Sequence, residues 1–363
     1  MKSKLLFLLL LLGSSYITAQ TVIENPPFET RQGSIHTISK IELSPTETRL
    51  TIRTVFRPQW WTSLDSLTYI YAPESKKQLY PLRIEGRKFG EQVTTPASGI
   101  IEDDCVITYP PLPEGTTRID WMDDNLNSET NTYGILLVKP QETKEQASLR
   151  KIHGNWQQAD AQNGWDIGIY DSLAIMDNRF WKYDLCRKQG KKFKLNLKDE
   201  TGEQCLLEIT QEKDGNLCIG KSGGKANKYI RAGRPQRNYA ATTAATAPQT
   251  AFFRKDTVHI RGFLDGYSPK LGFTTVLIYT DNHITNEGTP AVVTIHPDGR
   301  FESDFVVNYP GVHHLSMGNN WMTFYIRPGE TLMLYINWED HLDYLRQRRL
   351  KPMLTETLYM GPS

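Results

Sequence analysis

Apolar and polar residues alternate along most of this chain, most plainly from Asp256 to Trp338. There TVHIRGFLDG, FTTVLIYT, AVVTI, HPDGRFESDFVVNY, HHLSM, MTFYI and TLMLYIN follow one another, separated by Gly, Pro, Asn and Asp. A period of two bounded by turn residues predicts short strands with one face buried. Pro297-Asp298-Gly299 supplies the preset φ and the permissive glycine of a reversal, so Ala291 to Ile295 is expected to pair with Phe301 to Asn308.

The same alternation runs through residues 21–140. SIHTISKIELSPTETRLTIRTVF holds two strands around Ser44-Pro45-Thr46, with Leu50, Ile52 and Thr54 set against Thr51, Arg53 and Val55. LTYIYA, QLYPLRIEG, CVITYPPL, TRIDWM and YGILLV follow, and no stretch in this region has a helical period. A β-sandwich is the economical arrangement. In Arg57-Pro58-Gln59-Trp60-Trp61 two aromatics sit beside a cation, as in a sugar- or peptide-stacking platform. The competing expectation, which the bulk of tryptophan favours, has one indole filling the sandwich core and the other covering its rim. Asp103-Asp104 and Asp123-Asp124 are adjacent carboxylates; neighbours on a strand point to opposite faces, and in loops such pairs are solvated or cap turns.

After a charged connector, residues 148–234 carry KIHGNWQQ, WDIGIYDS, LAIMD, RFWKYDLCRK, KKFKLNLKD, EQCLLEIT, NLCIGK and KYIRA, joined by turn residues. These eight short strands predict an up-and-down meander closed into a small barrel or half-barrel. Gly154-Asn155-Trp156 resembles the G-x-W that opens lipocalin barrels, but the segment is about half the length of a ligand-holding barrel. A core filled by its own side chains is therefore expected. Gly215 to Ser222 satisfies the G-x-x-x-x-G-K-S/T string of phosphate-binding loops. Such a loop must open a helix, whereas Asp214-Gly215-Asn216 and Ser222-Gly223-Gly224 read as turns around a strand. The match is taken as chance.

Residues 235–251 are rich in Ala, Thr and Pro and read as a linker. Residues 252–338 read as an Ig-like sandwich, and EDHLDYLRQRRLKPML beyond it as a helix from Glu339 to before Pro352. Residues 339–363 are expected to be the helical start of a further domain that the sequence stops short of. The fold class is thus mainly β: tandem antiparallel sandwich and meander domains with a short C-terminal helix.

Composition narrows the function more than it defines it. With 42 basic and 41 acidic residues the net charge is +1, so no global field draws nucleic acid. Residues 1–20 read as a secretory signal, with Lys2 and Lys4 before the apolar run Leu5 to Leu12 and cleavage near Ala19 or Gln20. No later segment has the roughly 20 apolar residues of a spanning helix. The expected setting is periplasmic or secreted, with an envelope protein or glycan as partner. An even count of cysteines in an exported chain invites disulfides, and Cys205–Cys218 across a hairpin stands level with ordinary buried thiols for Cys105, Cys186, Cys205 and Cys218. The short paired spacing of zinc sites is absent. His313-His314 is the one histidine pair, its members facing opposite ways on a strand, with surface or turn roles expected. The residues assemble no catalytic, cofactor or metal constellation. Exposed aromatics, namely Trp60, Trp61, Trp165 and Trp321, are the candidate ligand contacts.

The stretches ENPPFETRQ with KIELSPTET, PPLPEGTTRIDW, GNWQQ, WDIGIYDS with RFWKYD, and RGFLDGY with HPDGRFESDF and FYIRPGETL resemble the β-rich N-terminal region of TlpA/ResA-like thiol-disulfide oxidoreductases of the Gram-negative envelope. In that family a helical connector and a thioredoxin fold with a reactive C-x-x-C follow. The resemblance implies a docking or positioning region that lacks the redox domain, since none of the four cysteines fits the motif. A carbohydrate- or peptide-binding module is the alternative.

Overall fold

The computed structural model describes residues 21–123, 128–138, 143–160, 165–232, 253–282, 285, 287–318 and 320–350. The expected signal segment and linker lie outside them. The chain is mainly β, as the alternation predicts, and builds three bodies, each around a core of its own.

The first body is a sandwich of two five-stranded sheets. One sheet orders Thr21–Glu24, His36–Leu43, Thr48–Val55, Ile100–Tyr109 and Arg83–Glu85; the other orders Thr30–Arg31, Thr132–Leu136, Arg118–Met122, Tyr69–Ala72 and Lys77–Leu79. The hairpin at Ser44-Pro45-Thr46 forms because the Ser44 hydroxyl accepts from the amides of Thr46 and Glu47 at 3.3 and 3.0 Å. Its register pairs Ile41 with Leu50 and Ile38 with Ile52, so the alternating apolar positions meet the second sheet's Ile70, Ile119, Trp121 and Ile135 in one core. The buried Trp121 indole donates to the Tyr109 hydroxyl at 3.0 Å, which satisfies the polar end of a large apolar group.

The second body is a closed barrel of eight strands: Gly154–Gln158, Ile167–Ile169, Leu173–Met176, Arg179–Gln189, Lys192–Lys198, Gln204–Gln211, Leu217–Lys221 and Asn227–Arg231. Ahead of it lies a helix, Lys144–Leu149, in the stretch that the sequence presents as connector and first strand. Thr143 and Gln146 form a full capping box, a T-x-x-Q signal legible in the sequence. The helix continues into a 3₁₀ turn, Arg150–Ile152, and Leu149 and Ile152 plug one end of the barrel. At that end Trp156 is fully buried, donates to the Ile152 carbonyl at 2.9 Å and lies under the Arg231 guanidinium at 4.8 Å. The G-x-W positions therefore seal the base. Phe193, Leu195, Leu207 and Ile209 fill the interior, as a barrel of this size permits.

The third body pairs a three-stranded sheet with a four-stranded one. The first sheet orders Arg300–Val307, Asp256–Asp265 and Thr331–Asn337, the last two parallel; the second orders Glu287–Thr294, Thr275–Asn282, Gly311–Met317 and Asn320–Ile326. The turn at Pro297-Asp298-Gly299 forms, with Gly299 at φ +86°, but the expected hairpin does not. Glu287–Thr294 pairs instead with Thr275–Asn282, and Arg300–Val307 with Asp256–Asp265. The turn is a corner between sheets, held where the Gly299 carbonyl accepts from the Leu264 amide at 2.8 Å. A Cβ at position 299 would lie 2.3 Å from the Leu264 oxygen, so the glycine is needed for closeness as well as for φ. Short-range turn chemistry is readable in the residues; which sheet each strand joins depends on long-range packing.

The final helix, Trp338–Leu350, does not lead away from the third body. Trp338 and Leu342 are buried in that body's core, and the Trp338 indole donates to the Arg31 carbonyl of the first body at 2.7 Å. Arg31 pairs with Glu339 and Arg349 with Glu129, the latter at 2.9 Å. Lys270 reaches the buried Asp120 at 3.1 Å. On its other side the third body meets the barrel. Tyr170 stacks on Tyr335 at 4.3 Å and 9°, Phe263 and Phe180 complete that cluster, and Arg300 pairs with Glu200. The third body thus contacts both others, and a strand-rich chain becomes one connected platform.

Candidate functional site

The four aromatic candidates sit on three bodies and do not converge. Trp60 is 47% and Trp61 54% exposed, against the expectation that one would fill the sandwich core. Trp121 holds that place, while Trp61 opens a two-residue strand paired with Val93–Thr94 at the surface. Trp60 carries the Arg57 guanidinium over its ring at 4.8 Å and meets Phe56 edge-on. Trp165 is half-buried against the Tyr170 and Phe263 cluster between barrel and third body. Trp321 is 59% exposed on the outer face of the four-stranded sheet and stacks on Tyr279 at 5.1 Å. The register sets His314 opposite both Tyr279 and Thr323, placing polar groups among these rings.

The cysteines form no disulfide. The Cys205–Cys218 bridge fails on register: Thr210, not Cys205, lies opposite Cys218, five positions along the strand. At about 3.3 Å per residue the two are on the order of 17 Å apart, far beyond bridging distance. Burial pushes the Cys105 thiol up to about 12 and raises Cys205 as well; Cys218 is raised first by its hydrogen bond to the Glu212 carboxylate. Three thiols are thus held away from the reactive thiolate form.

The carboxylate pairs also resolve. Asp103 sits at φ +46° in a bulge of Ile100–Tyr109, which turns Asp104 inward instead of leaving it solvated. Asp104 accepts from Arg87 at 2.9 Å and from the Thr54 hydroxyl at 2.6 Å. Because Thr54 spends its one proton on Asp104, its oxygen accepts from His36 Nδ1 at 3.0 Å, and His36 Nε2 accepts from Thr62 at 3.1 Å. Arg87 further donates to the carbonyls of Thr62 and Glu91. Burial, and then the Arg87 charge, lower the His36 pKa to about 4. This chain of hydrogen bonds ties the bulge to the loops beneath it and offers no open face to a substrate. Asp123 is buried and accepts from Ser128 at 2.7 Å; Asp124 lies outside the described residues. His313 is buried between Phe305 and Phe324 rather than at the surface, with His314 on the opposite face.

Two concave places stand out among the described residues. One is a crevice of about 310 Å³ between the first and third bodies, lined by Ser34, Glu129, Phe273, Trp338, Leu345 and Arg349 among others. The other is a cup of about 380 Å³ at the barrel end opposite the helical plug. Ile167, Met176, Leu207 and Ile219 form its floor, and Asp166, Asp177, Lys221 and Lys225 stand at its rim. The barrel core is filled by its own side chains, as expected, and the cup lies above that core at the mouth. Part of the phosphate-loop string lies here, but Lys221 ends a strand and a turn follows, with no helix. The Ser222 and Gly224 amides are already donated to the Leu206 and Lys221 carbonyls. Among the described residues no group of three or more His, Cys, Asp or Glu could hold a metal ion, and no helix is long and apolar enough to cross a membrane.

No protein-family model matches this chain, and no curated protein does. Among solved structures, pullulanase from Bacillus acidopullulyticus aligns at 8% identity over 81% of this chain and 34% of its own, with a TM-score of 0.17. A score that low carries no argument about fold or activity.

Proposed function

We propose that the chain is a non-catalytic docking region of an exported, periplasmic thiol-disulfide system of the thioredoxin-like type. The observation that carries this reading is the state of the thiols: no disulfide links them, and Cys105, Cys205 and Cys218 are held protonated by burial or by a neighbouring carboxylate. The resemblance to TlpA/ResA-like N-terminal regions supplies the company such a region keeps. Support also comes from the contacts by which the third body joins the other two, which give a joined base on which a redox domain can be positioned.

A second reading, a carbohydrate- or peptide-binding module, is favoured by the exposed Tyr279–Trp321 stack with His314 and Thr323 beside it. One binding experiment separates the two. The chain is titrated with a separately purified TlpA/ResA-like thioredoxin domain and, in parallel, applied to a glycan array. The docking reading expects saturable association with the domain and a silent array. Array binding abolished by Trp321→Ala, with no association with the domain, would overturn it in favour of the second.

A further inference from the structure

The barrel mouth has a property that neither docking nor surface stacking uses. Around the ring, Asp166 and Asp177 follow or precede the strands on one side, and Lys221 and Lys225 belong to the hairpin that closes the other. Among the charged residues that line the cup, the acids therefore form one arc and the bases another. Asp177 and Lys221 reach each other at 3.6 Å, although their strands, Leu173–Met176 and Leu217–Lys221, are four apart in a ring of eight. They come from opposite walls, so this ion pair spans the opening. Both side chains are about two-thirds exposed, and an exposed pair of this kind adds almost nothing to stability, so a ligand can part it at little cost.

Below the pair lies a floor of apolar side chains, with the Tyr229 ring at its edge. The volume of about 380 Å³ equals the space of roughly a dozen waters. It falls within the range of small-molecule sites, which favour the mouths of β-barrels and join an apolar bed to a few convergent polar groups. Asp166 is steadied by the Gln158 amide at 2.7 Å, and among the described residues no carboxylate pairs with Lys225.

We propose that the cup binds a small zwitterion with an apolar body, such as a dipeptide of aliphatic residues. Its ammonium group meets Asp177 and Asp166, its carboxylate meets Lys221 and Lys225, and its side chains rest on Ile167, Met176, Leu207 and Ile219. A simple anion would satisfy one arc and leave the acids of the other against it; a neutral sugar would use neither charge. The assignment stands whether or not the docking reading does.

Calorimetric titration of the full chain with L-leucyl-L-leucine tests it, with N-acetyl-leucyl-leucine, leucyl-leucine amide and inorganic phosphate as parallel ligands. Saturable one-to-one binding is expected for the free dipeptide, weakened at least about tenfold by blocking either end, with no comparable binding of phosphate. Asp177→Asn and Lys221→Gln should each produce a similar loss while leaving the melting temperature within a degree or so, since both side chains are exposed. Absence of binding at millimolar dipeptide, equal binding of the blocked forms, or indifference to both substitutions would overturn the proposal.

Discussion

Replacing Arg87 by methionine is expected to destabilise the first body by about 3–5 kcal/mol. Arg87 and Asp104 are almost wholly buried, with side-chain exposures of 1% and 3%, and lie 2.9 Å apart. Without the guanidinium, the Asp104 carboxylate keeps only the Thr54 hydroxyl, and the Thr62 and Glu91 carbonyls lose their donor. An uncompensated buried charge costs far more than the net worth of the pair that hid it. Urea unfolding followed by intrinsic fluorescence measures the loss. Arg87→Met combined with Asp104→Asn should recover a good part of it, because the charge is then gone from both sides. A single substitution that costs under about 1 kcal/mol would show that the pair is solvated in solution.

The same network sets an acid response. The His36 pKa is lowered from 6.5 to about 4, chiefly by burial and secondarily by Arg87, with Asp104 opposing. The unfolded chain therefore takes up a proton at this site before the folded chain does. The contribution is fully present above about pH 6.5, declines as pH falls through that window, and is gone below about pH 4. At about 1.4 kcal/mol per pKa unit the integrated loss is on the order of 3 kcal/mol. Unfolding free energies at pH 7, 5.5 and 4 give the slope. His36→Gln, which keeps a donor and an acceptor, should flatten it in that range. A slope unchanged by the substitution would place the acid response elsewhere.

The strands of the barrel are legible in the sequence because each is short, alternating and bounded by Gly, Asp or Asn, and its ladder joins neighbours in sequence. The third body is harder. Its turn at Pro297-Asp298-Gly299 has the local chemistry of a hairpin, yet the strand before it pairs backwards with the preceding strand, Thr275–Asn282, and the strand after it pairs with the distant Asp256–Asp265, a choice that no signal at the turn records. The helix Lys144–Leu149 is signalled by Thr143 and Gln146 alone, and its six residues give too little periodicity to notice. Helix Trp338–Leu350 is legible as a helix. Its role is not, because the partners of Trp338 and Glu339 include Arg31, more than three hundred residues away.

The candidate site is legible only in part. Exposure of Trp60, Trp61 and Trp321 follows from strand register and sheet edges, which a list of aromatics does not contain. Asp104 lies in the interior rather than at the surface because it sits in the bulge between Ile101 and Cys105, where Asp103 takes a left-handed conformation and the alternation of faces is broken. The barrel mouth escapes sequence reading because its charges come from segments far apart in the chain, and closure of the ring alone brings Asp177 to Lys221.

On the proposed reading this chain positions and binds, and does no thiol chemistry. The decisive assay is insulin reduction by dithiothreitol, followed as turbidity with and without the purified chain. A rate identical to that of dithiothreitol alone is expected; acceleration that grows with the concentration of the chain and disappears when its cysteines are replaced by serine would contradict the reading.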